Sequence, residues 1–180
     1  MTDELAVDTQ GEPEKYREVF TSEEKDRLEF KLVDPIEKKE EWALELKSTQ
    51  KVVEIYLNGR EIVEILSEVE KPYAEEEGHP NLAGAYGHNY AKELYGDLAE
   101  AMTEGSYFQE KGVELLCCSD CGDRGCWSVL ALVKQDEDYV YWEQFKNNHR
   151  KWDYDISFRF TKKDYEQAMQ QLKAFAGYTI

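Results

Sequence analysis

Two apolar runs separated by a stretch rich in cysteine and glycine constrain the fold of this chain more than any other feature. The runs are residues 113–118 and 128–133, and all four cysteines lie within residues 117–126. Short apolar runs bounded by glycine are typical of buried strands. The pattern therefore predicts a tight β-hairpin whose arms lie in the core. Gly122, Gly125 or both are expected at positive φ, where a side chain would strain the turn.

Alternating and helical hydrophobic patterns predict the other elements. Further strands are expected at residues 28–33, 42–46, 52–57, 139–145 and 156–160, with a turn at Asn58-Gly59. Helices are expected at 61–70, ended by Lys71-Pro72, at 91–102, interrupted near Gly96, and at 162–175, after a capping box that begins at Thr161.

Strands that come in consecutive runs, each followed by helices, indicate an antiparallel sheet. The sequence therefore predicts an α+β fold in which antiparallel meanders pack with two or three helices. Residues 26–180 are expected to form this single domain. Residues 1–25 are charged and rich in turn-forming residues, and we expect them to be an acidic, mobile N-terminal segment.

The net charge of −17, from 39 acidic and 22 basic residues, is the strongest global property of the chain. Such a charge repels nucleic acid and anionic membranes and accelerates the encounter with a basic protein. No apolar run is long enough for a membrane span, and the acidic start does not resemble a signal peptide. The expected location is therefore the cytoplasm, where clustered thiols stay reduced or bind metal.

The cysteine spacing offers one candidate site. Cys118, Cys121 and Cys126 follow a C-x2-C-x4-C pattern with a glycine after the second cysteine, which is common in zinc sites. His149 is the candidate fourth ligand, whereas Cys117 should face the opposite side of its strand. The sequence thus predicts no cofactor, with zinc held by these residues as the alternative. The other two histidines, His79 and His88, lie in a Gly-rich polar stretch and are expected to be exposed.

Three other interpretations of the cysteines stay open. They are packed thiols that line the turn, a C-x2-C redox pair, or a nucleophile assisted by His149 and Asp153. A redox pair of the thioredoxin type would begin a helix, which the predicted hairpin does not offer. The sequence contains no complete catalytic motif.

Several motifs taken together resemble a known family. They are Ile55-Tyr56-Leu57-Asn58-Gly59, the Cys-Gly-x2-Gly-Cys-Trp segment that starts at Cys121, Trp142-x2-Phe145, His149-Arg150 with Trp152-Asp153-Tyr154, and Phe160 with Tyr165-Glu166. This combination resembles a family of uncharacterised bacterial proteins that share a CGxxGCW signature followed by an HR...WDY segment. The resemblance covers roughly residues 50–172. It implies one folded bacterial domain and no particular activity.

The sequence favours a non-enzymatic, acidic interaction protein that binds or neutralises a basic protein partner, as immunity proteins and regulators do. The alternatives are a zinc-stabilised domain of another role and a thiol-dependent enzyme.

Overall fold

A computed structural model describes residues 25–42 and 50–178 of the chain. Two antiparallel sheets, one of three strands and one of five, pack with helices around a common core. The α+β class and the single domain expected from the sequence are confirmed. The predicted division at residue 25 concerns residues outside the described ranges and stays a prediction.

Along the chain, the strands of the three-stranded sheet all come before those of the five-stranded sheet. The three-stranded sheet contains β1 (Leu28–Val33), β2 (Val52–Leu57) and β3 (Arg60–Glu61). The five-stranded sheet contains β4 (Tyr86–His88), β5 (Val113–Cys118), β6 (Val129–Gln135), β7 (Tyr139–Asn147) and β8 (Phe158–Thr161). The helices whose bounds lie within the described residues are α1 (Pro35–Lys38), α2 (Ile62–Glu76), α3 (Ala91–Ala101), α4 (Phe108–Lys111) and α5 (Lys162–Phe175), and residues 80–82 form a 3₁₀ turn.

The five-stranded sheet is a meander, because its strands follow one another in chain order from β4 to β8. Inward and outward residues alternate along β7, which gives the polar and apolar pattern seen in the sequence. The β5 strand is almost entirely buried, which explains why its residues are nearly all apolar instead of alternating with polar ones. A register shift near Gln144, which has φ 51°, bends β7 where it pairs with β6.

The three-stranded sheet contains the predicted turn at Asn58-Gly59. Both residues have positive φ, 54° and 81°, as a two-residue hairpin turn of the I′ type requires. The side chain of Asn58 accepts a hydrogen bond from the backbone N–H of Arg27 (2.8 Å) and so ties the turn to β1. An isolated antiparallel bridge between Val52 and Tyr90, with a hydrogen bond from the Val53 N–H to the Asn89 carbonyl (3.0 Å), links β2 to the residues after β4.

Two predicted helix interruptions are wrong. The α2 helix continues through Pro72 to Glu76, because Ala74 is fully buried and Tyr73 stacks on Trp152, and this packing outweighs the proline penalty. The α3 helix likewise continues through Gly96. Burial of Leu94 and Leu98 stabilises it beyond the cost of about 1 kcal/mol for an exposed helical glycine.

The remaining sequence predictions have mixed outcomes. The α5 helix begins as expected, with the Thr161 hydroxyl accepting a hydrogen bond from the Asp164 backbone N–H (3.1 Å). The strand expected at 42–46 is wrong at Trp42, which is helical, and residues 43–49 lie outside the described ranges. Within those ranges no helix is long and apolar enough to cross a membrane.

Candidate metal centre

Three of the four cysteines come together at the end of β5. Cys118 is the last residue of the strand, and Cys121 and Cys126 lie in the loop that follows, residues 119–128, called here the thiol loop. Their three sulfur atoms lie within 4.8 Å of one another. Cys118 is buried, whereas Cys121 and Cys126 are exposed. The C-x2-C-x4-C pattern therefore does bring the thiols together.

Backbone hydrogen bonds give the thiol loop its shape. The Gly122 N–H donates to the Cys118 carbonyl (2.9 Å), and the N–H groups of Cys118 and Cys126 both donate to the Asp123 carbonyl (3.3 Å each). The Asp123 side chain accepts from the Gly125 N–H (2.7 Å). The connection spans ten residues, so the prediction of a tight hairpin turn is wrong. The prediction of a positive φ is confirmed at Gly122, with φ 70°.

The indole of Trp42 explains why residue 122 is glycine. A Cβ atom at Gly122 would lie 2.7 Å from Trp42 Cδ2, which is closer than two carbon atoms can approach. Trp42 itself is buried and comes from the segment after α1. The thiol loop therefore packs against a side chain from the segment between β1 and β2.

The surroundings of Cys118 favour a thiolate. Burial acts to raise the pKa of this thiol, but hydrogen bonds from the backbone N–H groups of Cys121 and Asp120 and from the other two thiols lower it overall. Hydrogen bonds with Cys121 and Cys118 raise the pKa of Cys126 to about 12. Deprotonation is therefore easier at Cys118 than at Cys126.

The arrangement fits one thiophilic metal ion. At a zinc–sulfur distance of about 2.3 Å, tetrahedral ligand sulfurs lie roughly 3.8 Å apart. The three sulfurs already lie within 4.8 Å of one another, so small side-chain movements would bring them to that spacing. Metal binding would displace the thiol protons that now form the hydrogen bonds between the three sulfur atoms. Backbone N–H groups that point at a cysteine sulfur are already in place to stabilise a metal-bound thiolate.

His149, the predicted fourth ligand, lies against the thiol loop. Its Nε2 atom is 3.2 Å from the Gly125 carbonyl, and its ring stacks on Trp127 with the ring centres 6.4 Å apart. It is not one of the three residues whose ligand atoms cluster. Asp153, considered as part of a nucleophilic site, uses its backbone carbonyl to accept a hydrogen bond from Tyr73 (3.2 Å).

Cys117 faces the other side of β5, as strand geometry predicts. Its thiol donates to the His88 carbonyl (3.5 Å), and burial, with a smaller contribution from Glu40, raises its pKa to about 12. Cys117 is therefore a packed, protonated thiol.

A buried ionic cluster behind Cys117 was missed by the sequence analysis. His88 is 5% exposed in β4, so the expectation that it is exposed is wrong. Its Nδ1 atom pairs with Glu40, and its Nε2 lies 2.7 Å from Glu61 Oε1. Lys38 pairs with Glu61 (3.2 Å) and with Glu54. The residues come from four separate elements, so no local spacing could reveal the cluster.

The cluster favours a charged imidazole. Burial acts to lower the pKa of His88, but the hydrogen bonds and charges of Glu40 and Glu61 outweigh it and raise the pKa overall. The three carboxylates outnumber Lys38, which favours a proton on His88. One buried oxygen, Oε2 of Glu40, has no hydrogen-bond partner within the described part of the chain.

Another buried carboxylate, Glu70, anchors the residues beside the thiol loop. It is fully buried on α2 and accepts hydrogen bonds from the Tyr86 and Tyr154 hydroxyls and from the Gly84 N–H (2.8 Å). Burial raises its pKa, although these three donors act in the opposite direction. The WDY motif therefore places Tyr154 in the core.

Comparison with protein-family models, with curated proteins and with solved structures found no match for this chain. The resemblance to the CGxxGCW proteins stays a prediction.

Replacement of Gly122 by alanine should destabilise the fold by about 1 to 3 kcal/mol, because it adds a Cβ at positive φ against Trp42. Gly125→Ala is the matched control, since Gly125 has no positive φ and its nearest obstacle is the Asp123 side chain at 3.3 Å. Urea denaturation midpoints compare the two. Equal midpoints for both variants would contradict the packing of Trp42 on Gly122.

The stabilising contribution of His88 should decrease as the pH rises. Because its pKa is raised in the folded protein, the contribution is complete below the unfolded value of about 6.5 and is lost as the pH passes through the folded value. His88→Gln should remove this part of the pH dependence of the unfolding free energy, whereas His79→Gln, at an exposed site, should keep it. Parallel pH profiles for wild type and His88→Gln would show that the fold does not raise the pKa of His88.

Proposed function

We propose that this protein is a zinc-binding domain in which Cys118, Cys121 and Cys126 hold one ion. The observation that carries the proposal is the approach of the three sulfur atoms to within 4.8 Å. The backbone hydrogen bonds to Cys118 support it, because they stabilise the deprotonated sulfur that a metal requires. Thiolate donors select thiophilic ions, and zinc is the common choice among these in proteins.

The ion would have a structural role in this proposal. The thiol loop has no regular secondary structure, and two of its three thiols are exposed. An ion would join both ends of the loop to the end of β5. In doing so it would hold Trp127 and Gly125, which contact His149, in one arrangement.

The proposal predicts near-stoichiometric zinc in purified protein and a melting temperature that a chelator lowers. Cys118→Ser, Cys121→Ser and Cys126→Ser should each lose the metal and melt at a similar, lower temperature, because a tetrahedral site fails as a unit. Elemental analysis and thermal denaturation measure both effects.

Cys117→Ser is the matched control, since this thiol faces away from the cluster and should leave the zinc content unchanged. Absence of zinc after growth in zinc-supplemented medium would refute the proposal and leave the cysteines as packed thiols. The Co²⁺-substituted protein tests His149 as the fourth ligand: His149→Gln should shift the visible bands if the imidazole is bound.

A second candidate function is the binding of a basic protein partner by an acidic, non-enzymatic cytoplasmic protein. The net charge of −17 supports it. The exposed face of α2 carries part of this charge, with Glu64, Glu68, Glu75 and Glu76 all exposed. A partner recovered from the source cells should associate with a rate that falls steeply between low and high salt. A rate that does not change with salt would limit the role of the charge to solubility.

A further inference from the structure

The segment after β7 is irregular, yet side-chain hydrogen bonds hold most of its residues. We call residues 147–154 the tethered segment. Asn147 donates to the Tyr86 hydroxyl (3.0 Å), and Trp152 Nε1 donates to Glu77 Oε1 (2.7 Å). The Tyr154 hydroxyl donates to Glu70. These contacts fasten the segment to β4 and to α2 and its C-terminal cap.

The thiol loop holds the same segment from the other side. Asn148 and Ser128 exchange two hydrogen bonds through the Ser128 N–H (2.8 Å) and the Asn148 N–H (3.0 Å). The Asn148 side chain also donates to the Gly125 carbonyl (3.1 Å). Three separate parts of the fold therefore fix a stretch that forms no helix or strand after Asn147, the last residue of β7. Irregular segments held rigidly in this way are typical of binding surfaces.

The tethered segment presents positive charge on an acidic protein. Residues 146–153 line an open depression of about 760 Å³. Lys146, Arg150 and Lys151 contribute cations to its lining, His149 adds an imidazole, and Asp153 is the one acidic residue there. This sign is opposite to the net charge of −17.

Two of these cations are available to a ligand. Lys146 and Lys151 are exposed, and within the described residues neither forms an ion pair with an acidic side chain. Arg150 is held in place by Glu77 (2.9 Å), with its guanidinium 5.4 Å from the Trp127 ring centre. The lysines therefore flank a fixed, partly neutralised arginine.

We propose that this depression is the docking surface for a carboxylate-rich segment of a partner protein. Its open shape suits a polypeptide more than a small oxyanion. Asn147 is buried, and the side-chain amides of Asn147 and Asn148 each already donate one hydrogen bond within the protein, which leaves few donors for a compact anion. A nucleic acid would extend past the patch and meet the repulsive field of the whole chain. The proposal goes beyond zinc binding and does not require it.

The test uses a fluorescent, acetylated hexaglutamate peptide and the full chain, with binding followed by fluorescence anisotropy. An ionic strength of about 0.15 M is suitable, because a Debye length of roughly 8 Å isolates the patch from the distant acidic residues. Wild type should bind, and the double variant Lys146→Glu/Lys151→Glu should bind at least about tenfold more weakly.

The control variant is Lys92→Glu/Lys163→Glu, which makes the same change of net charge at exposed helical positions outside the depression. It should change the affinity less than about twofold, and Lys146→Arg/Lys151→Arg should retain binding. Thermal denaturation checks that each variant is folded.

Three outcomes would overturn the proposal. They are no binding of the peptide by wild type, an equal loss in both charge-reversal variants, and tighter binding of inorganic phosphate or a single-stranded oligonucleotide at the same lysines. Zinc content measured on the same samples keeps this test separate from the proposed metal site: a zinc-free protein that still binds the peptide would refute only the latter.

Discussion

The arrangement of this protein depends on one buried carboxylate, Glu70. It sits fully buried on α2 and accepts hydrogen bonds from Tyr86 in β4, from Tyr154 in the tethered segment and from the backbone at Gly84. A buried carboxyl group is costly unless its oxygens are paired, so these donors must stay in place when α2 packs. The carboxylate thereby fixes the position of the tethered segment, and through Asn148 that of the thiol loop.

The two motifs of the family resemblance belong to one structural unit. The CGxxGCW stretch forms the thiol loop, and the HR...WDY stretch forms most of the tethered segment. Trp127 joins them, because its indole contacts the rings of His149 and Trp152. Hydrogen bonds of Asn148 with Ser128 and Gly125 also join the two stretches outside any helix or strand.

Local patterns predicted most of the fold and only part of the site. The alternating pattern identified β7, and Asn58-Gly59 identified the turn after β2. The cysteine spacing identified the three thiols that come together. The sequence did not reveal that packing carries α2 through Pro72, because that depends on contacts distant in the chain. The surroundings of His88 were hidden for the same reason, since Glu40 and Glu61 come from segments far from β4.

One tryptophan packs against the thiol loop and another belongs to it, and this gives the molecule an internal optical reporter. Trp42 covers Gly122, and Trp127 follows Cys126 directly. Indole emission responds to the polarity of its surroundings and is quenched by nearby thiolates. A change in the ionisation or coordination of the three sulfurs would therefore alter the emission of both rings. The state of the loop can be followed in the unlabelled protein.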